Sequence, residues 1–101
     1  MLTGNYEATL DTPLGEQHAV LTLEEQDNGV LGATLSTPAL GTSEFSGTYK
    51  GNGFEADGSI RILFKRIDFT AKGTVKDDKL SLDVTSKGKT AHIVAKRTDT
   101  N

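Results

Sequence analysis

The chain of 101 residues contains no cysteine and no tryptophan, and it has only two histidines and two prolines. Without cysteine there can be no disulfide framework, no thiolate nucleophile and no cysteine-based zinc site. Two histidines without HExxH spacing also argue against a catalytic zinc centre, so we expect no metal and no cofactor. A domain of this size must then be held together by burial of apolar surface.

Long apolar runs and an excess of basic residues are also missing. No segment is long enough to span a bilayer as a helix, and the first residues lack the basic and apolar regions of a signal peptide. A formal net charge of −3 argues against binding to nucleic acid, which requires a basic surface. We therefore expect a cytoplasmic location, for either a whole small protein or a domain cut from a longer chain.

The sequence is dominated by alternation of apolar and polar residues. From Phe54 to Phe64 the even-numbered residues are apolar or small, whereas from Ile67 to Val75 the odd-numbered residues are. A period of two places one set on each face of a sheet, so this stretch predicts two half-buried strands. The change of phase across Lys65 and Arg66 predicts a hairpin between them.

The same alternation predicts six further strands, and most junctions carry turn residues such as Asn-Gly, Pro, Gly or Asp, although residues 63–66 carry none. No stretch shows the spacing of an amphipathic helix. The residues predicted to point inward are Tyr6, Ala8, Leu10, Ala19, Leu21, Leu23, Leu31, Ala33, Leu35, Phe45, Gly47, Tyr49, Phe54, Ala56, Gly58, Ile60, Ile62, Phe64, Ile67, Phe69, Ala71, Gly73, Val75, Leu80, Leu82, Val84, Ala91, Ile93 and Ala95.

Eight short strands with one apolar face each can stack as a sandwich or close into a barrel. Tight turns between consecutive strands favour closure, which also removes the two exposed edges of a meander. We predict an all-β fold: an eight-stranded antiparallel up-and-down meander closed into a small barrel. Residues 1–98 form this single domain, and residues 99–101 form a loose tail. Glycines 47, 58 and 73 are predicted to be bend points.

The segments GNYEATLDTPLG and LTLEEQDNGVLGATL resemble the first and third strands of the streptavidin and lipocalin type of barrel. The chain is also similar to small uncharacterised bacterial proteins with TPxG turns and FxGTV-type strands. This resemblance implies a calycin-like barrel. Avidin-type biotin pockets rely on several tryptophans, and this chain has none, so the resemblance does not extend biotin binding to any residue here.

No catalytic constellation is visible in the sequence. His18 and His92 fall on outward-facing positions, and no GxSxG motif is present to activate a serine. Asp27 with Asn28, and Asp77 with Asp78, occupy turns, where short polar side chains bond their own backbone. We therefore expect a protein that is not an enzyme.

Two packings fit the predicted interior, which mixes large residues with alanine and glycine. Large and small side chains can interdigitate into a solid core, or the small ones can leave a cavity for an apolar molecule. The first packing predicts a structural or protein-interaction module, and the second predicts a barrel that binds a small apolar or amphipathic ligand.

Any ligand mouth is predicted at the end that carries the turns after the first, third, fifth and seventh strands. This end is rich in apolar residues, whereas the turns at the other end are polar. Lys65 and Arg66 could receive an anionic head group there. Alternatively, Leu14, Leu40 and Phe64 plug the barrel end. The candidate ligand-binding residues are Tyr6, Leu14, Leu40, Tyr49, Ile62, Phe64, Lys65 and Arg66.

Charge is distributed unevenly along the chain. Residues 1–50 contain seven acidic residues and one lysine, a balance of −6, while residues 51–101 contain seven acidic and ten basic residues, a balance of +3. This asymmetry either has no role on a solvated surface or favours side-by-side association into a homo-oligomer.

Overall fold

A computed structural model describes residues 2–12, 15–38, 41–62 and 65–98, without the side chains of residues 10–12, 60–62 and 65. Each strand pairs antiparallel with the next, and the last pairs with the first, so the predicted closed barrel is confirmed. None of the helical segments described is long and apolar enough to cross a membrane. The strands are β1 (Gly4–Thr12), β2 (Gly15–Glu25), β3 (Val30–Thr37), β4 (Gly41–Lys50), β5 (Gly53–Ile62), β6 (Lys65–Lys76), β7 (Lys79–Ser86) and β8 (Lys89–Arg97), with a 3-10 turn at Asp27–Gly29.

Two of the tight turns have the backbone geometry that a twisted hairpin requires. Asp77 and Asp78 have φ angles of 52° and 66°, and Lys87 and Gly88 have φ angles of 52° and 78°. Positive φ at both central residues is the signature of a type I′ turn, whose twist matches that of the flanking strands. Short polar residues and glycine tolerate this conformation best.

The buried core consists of residues that the alternation predicted to point inward, with the addition of Leu2. Within the described chain, the largest side chains that are almost completely buried are those of Tyr6, Leu2, Leu23, Leu31 and Leu80. One prediction was wrong: Ala91 is exposed. Alternation gives the face of the strand on which a residue lies, but burial also requires a neighbouring strand at the same level. Beside Ala91 the ladder between β8 and β1 has already ended.

The barrel is closed at one end and split at the other. Between β4 and β5 the pairing stops at Ser46 and Asp57, and between β1 and β8 it stops at Glu7 and Lys96. Residues 41–45 and 58–62 are therefore unpaired with each other, as are residues 8–12 and 89–95, within the described ranges. The other two ladders between different hairpins, β2–β3 and β6–β7, reach Ser36 and Thr85, one residue before β3 and β7 end. They do not include residues 15–19 of β2 or 65–69 of β6.

Two four-stranded sheets, β1–β4 and β5–β8, thus separate from each other toward one end of the molecule. We call this the open end; it carries the turns after β1, β3, β5 and β7. The closed end carries the other three turns together with Leu2 and Thr98. These turns lie at residues 26–29, 51–52 and 77–78.

Candidate ligand cavity at the open end

The closed end is plugged by the segment that precedes β1. Leu2 is fully buried, its backbone N–H donates to Glu25 Oε2 at 3.0 Å, and its carbonyl accepts from the Tyr6 hydroxyl at 2.8 Å. The Arg97 guanidinium lies 5.0 Å from the centroid of the Tyr6 ring and donates from Nη1 to the Thr3 carbonyl at 2.8 Å. A cation held over an aromatic face and bonded to the chain beneath it fixes this segment in place.

The two tyrosines among the candidate ligand-binding residues belong to this closed end. The Tyr49 hydroxyl donates to the Gln26 carbonyl at 3.2 Å, and its half-buried ring packs against the core. The Tyr6 ring borders the interior cavity, but its hydroxyl is already bonded to Leu2. Neither hydroxyl can therefore donate to a ligand without losing its present acceptor.

A cavity of about 150 Å³ lies in the barrel above the Tyr6 ring. All eight strands contribute to its wall, and every lining residue is aliphatic or aromatic. The lining residues are Tyr6, Ala8, Ala19, Leu21, Leu23, Ala33, Leu35, Phe45, Phe54, Ala56, Phe69, Ala71, Leu80, Leu82, Val84, Ile93 and Ala95. The described side chains therefore do not completely fill the interior of the barrel.

The cavity leads toward the open end. Leu23 and Leu80, on the closed side of the wall, are fully buried. Farther along the same strands and on the same face, Leu21 and Leu82 are only half-buried, as is Ile93. On β7 and β8 the exposure of the wall thus increases toward the open end, whereas on β2 Ala19, nearer the open end than Leu21, is buried.

An aromatic pair covers the split between β4 and β5. The rings of Phe45 on β4 and Phe69 on β6 meet edge to face, with centroids 4.9 Å apart and an interplanar angle of 79°. Gly58 on β5 lies between them, and a Cβ atom at this position would overlap the Phe45 ring. Glycine is therefore needed here to let one ring lie over the strand and reach the other. The prediction that Gly58 is a bend point stays a prediction.

The predicted ligand-binding residues at the open end are placed only in part. Leu14, Leu40 and Phe64 lie outside the described residues. Ile62 and Lys65 close the β5–β6 hairpin at the open end, but their side chains are not described.

Arg66 is placed, but the structure does not bring its side chain to the cavity. It lies on the exposed outer wall, where its Nε donates to Asp68 Oδ1 at 3.0 Å. The main lining residues that the candidate set missed are Leu21, Phe45, Phe69, Leu82 and Ile93. Alternation identified all of them as inward-facing, but it does not indicate where along the barrel axis each of them lies.

The two histidines lie on the outer wall, as predicted, and each contacts one carboxylate. His18 Nε2 is 2.6 Å from Glu7 Oε1, and His92 Nδ1 is 2.7 Å from Asp83 Oδ1. Both pairs are solvent-exposed cross-strand contacts, which ordinarily contribute little to stability. Among the described residues no three histidine, aspartate or glutamate side chains are grouped so that they could hold a metal ion. Tyr6 is the only ionisable residue among the described residues that line the cavity.

Comparison of the chain with protein-family models, with curated proteins and with solved structures gave no match in any of the three. The coarse architecture, a small eight-stranded antiparallel barrel, therefore rests on the structure itself.

Proposed function

We propose that this barrel binds a small apolar molecule, or the apolar end of an amphipathic one, in the cavity at its open end. The observation that carries the proposal is the cavity of about 150 Å³ with a wholly apolar wall. Small barrels of the streptavidin and lipocalin type, which the sequence resembles, hold ligands in this part of the fold. The alternative, a structural module with a solid core, is less consistent with this cavity.

The wall determines the chemical class of the ligand. An apolar cavity of about this size stays dry in other proteins and accepts guests such as benzene, because water finds no hydrogen-bond partners there. The one polar atom of the lining side chains, the Tyr6 hydroxyl, is already bonded to the Leu2 carbonyl. A polar group placed inside would lose its bonds to water at a cost of about 1–3 kcal/mol. The part of the ligand that enters should therefore be a hydrocarbon chain or an aromatic ring, with any polar group left at the open end.

Binding of benzene or 1-hexanol is expected to raise the melting temperature of the protein. At a free concentration ten times Kd, such a ligand stabilises the folded state by about 1.4 kcal/mol. For a domain of this size that corresponds to a rise of roughly 5–10 °C. 1,6-Hexanediol, which has a hydroxyl at both ends, should produce little rise at the same concentration, because one hydroxyl would have to enter the cavity. Thermal unfolding followed by circular dichroism measures all three.

Two matched alanine-to-leucine variants separate binding in the cavity from binding elsewhere. Ala71→Leu adds three carbon atoms to a buried wall residue and should abolish the effect of benzene, whereas Ala91→Leu adds the same atoms at an exposed position and should preserve it. An unchanged melting temperature in the parent protein with both probes would favour the structural module. A benzene effect that survives in Ala71→Leu would place the ligand outside the cavity.

A further inference from the structure

The seam between β1 and β8 leaves two strand edges without a partner over most of their length. Two residue pairs form this ladder, Tyr6 with Arg97 and Glu7 with Lys96, and the Thr98 N–H extends it toward the closed end by donating to the Asn5 carbonyl at 2.9 Å. Toward the open end no further pair joins the two strands within the described residues. In contrast, β8 remains paired with β7 as far as Ser86 and Lys89, and β1 with β2 as far as Thr12 and Gly15.

The direction of the unpaired backbone groups follows from the bonds that do form. Successive residues of a strand direct their N–H and C=O groups to opposite sides, and the N–H of Thr98 is directed toward β1. His92 and Val94 therefore direct their backbone groups to the β1 side. By the same alternation from Asn5, Thr9 and Asp11 of β1 direct theirs to the β8 side. Such edges are templates for the addition of another strand.

The edge of β8 also exposes an apolar side chain. Val94 is 55% exposed, more than any other large apolar residue in the described part of the chain. Thr9, which continuation of the seam register would place opposite Val94, is exposed as well. A strand added at the β8 edge would cover Val94, and a strand added at the β1 edge would cover Thr9. Opposed β-branched side chains of this kind form favourable cross-strand pairs.

The two sheets that separate at this seam are the acidic half and the basic half of the chain. Sheet β1–β4 belongs to residues 1–50, with a balance of −6, and sheet β5–β8 belongs to residues 51–101, with a balance of +3. The last paired residues of the seam, Glu7 and Lys96, have opposite charge. Each molecule therefore presents one edge from an acidic sheet and one from a basic sheet. The opposite edge of a second copy of this chain is therefore complementary in charge to each of them.

We propose that two copies of this chain pair through their split seams, with β1 of each against β8 of the other. A two-fold axis parallel to the barrel axes keeps both pairings antiparallel and closes the assembly as a dimer. The register of the intact seam places Thr9 opposite the partner's Val94 and Asp11 opposite the partner's His92. Reciprocal pairing adds about eight backbone hydrogen bonds, two for each newly bonded residue pair. This interface does not depend on the presence of a ligand in the cavity.

A disulfide experiment distinguishes pairing between copies from pairing within one chain. The protein has no cysteine, so Thr9→Cys with Val94→Cys introduces the only two thiols. Directly opposed strand residues are close enough for a disulfide. Mild oxidation should yield a covalent dimer that a reductant converts to monomer. The control, Glu7→Cys with Lys96→Cys, joins residues already paired in one chain and should yield an oxidised monomer. Oxidation of the Thr9–Val94 pair that gives only a monomer, or no disulfide at all, overturns the proposal.

A proline substitution tests the same interface without cysteine. Val94→Pro removes an N–H on the unpaired side of β8 and leaves the ladder to β7 intact, which is where proline is tolerated in a strand. One bond is lost at each of two symmetric sites, so the dimer Kd measured by sedimentation should rise about thirtyfold. Val94→Thr keeps the N–H and should dimerise like the parent. A parent that remains monomeric at every concentration, or a folded Val94→Pro that dimerises as tightly as the parent, contradicts the proposed dimer.

Discussion

Replacement of Gly47 by alanine is expected to destabilise the protein by about 3 kcal/mol or more, a large share of the stability of an ordinary domain. A Cβ atom at this position would lie 2.7 Å from the Ala56 Cα and would overlap the Glu55 carbonyl oxygen. Both atoms belong to the backbone of β5, and Gly47 pairs directly with Ala56 in the β4–β5 ladder. The added methyl group cannot be accommodated by rotation of a side chain. It must push the two strands apart where their pairing is already short.

Gly53 provides a matched control on the neighbouring strand. A Cβ at Gly53 would have its nearest neighbours at 3.7 Å, an ordinary contact distance, and the residue does not have a positive φ. Gly53→Ala should therefore be neutral or stabilise the protein by about 0.4–1 kcal/mol, because alanine lowers the entropy of the unfolded chain. Urea unfolding of both variants measures the difference. Similar free energies of unfolding for the two would show that the close approach at Gly47 does not constrain the barrel.

Leu80→Ala is expected to cost about 2–5 kcal/mol, the range for removal of a fully buried leucine side chain. Leu80 lies at the closed end, is 0% exposed and belongs to the same buried cluster as Leu2, Tyr6 and Leu31. This cluster holds the four largest fully buried aliphatic side chains of the described chain, so truncation leaves a void that the surrounding residues cannot fill without disturbing the plug.

Leu82→Ala is the control for the difference between the two ends of the barrel. Leu82 lies two residues farther along β7 on the same face, but it is half-buried and borders the cavity. Its truncation removes less buried surface and should cost about 1–2 kcal/mol. Chemical denaturation gives both values. If Leu82→Ala costs as much as Leu80→Ala, stability is not concentrated at the closed end and the cavity wall carries as much of it.

These expectations describe a barrel whose stability is concentrated at the closed end and whose local opening occurs at the open end. The closed end contains the fully buried leucines and the Leu2–Tyr6–Arg97 contacts, so its strands should open rarely. The open end contains the unpaired strand segments and the half-buried cavity wall. Local opening there costs fewer hydrogen bonds and less apolar burial. We therefore expect the proposed ligand to exchange, and the proposed partner strand to add, without unfolding of the closed end.

The sequence by itself determined the strands, their order and the face on which most residues lie. Alternation between Phe54 and Val75 is enough to assign each side chain to one face, because the period of a strand is a local property of the backbone. Asp77-Asp78 and Lys87-Gly88 specify tight turns for the same local reason, since the residue types at these positions tolerate positive φ. Consecutive strands joined by such turns can only be neighbours, and this led to the meander and its closure.

Only the tertiary structure decided where the ladders stop, and therefore which end of the barrel is split. The splits at Glu7–Lys96 and Ser46–Asp57 depend on register between hairpins that no short turn connects. For that reason, Ala91 is exposed although its position in the alternation is that of a core residue. The position of Leu2 under the Tyr6 hydroxyl depends on a contact with no periodic signal, and the cavity depends on the sum of side-chain volumes across eight strands. Periodicity assigns a residue to a face, whereas packing between distant segments determines which part of that face is filled.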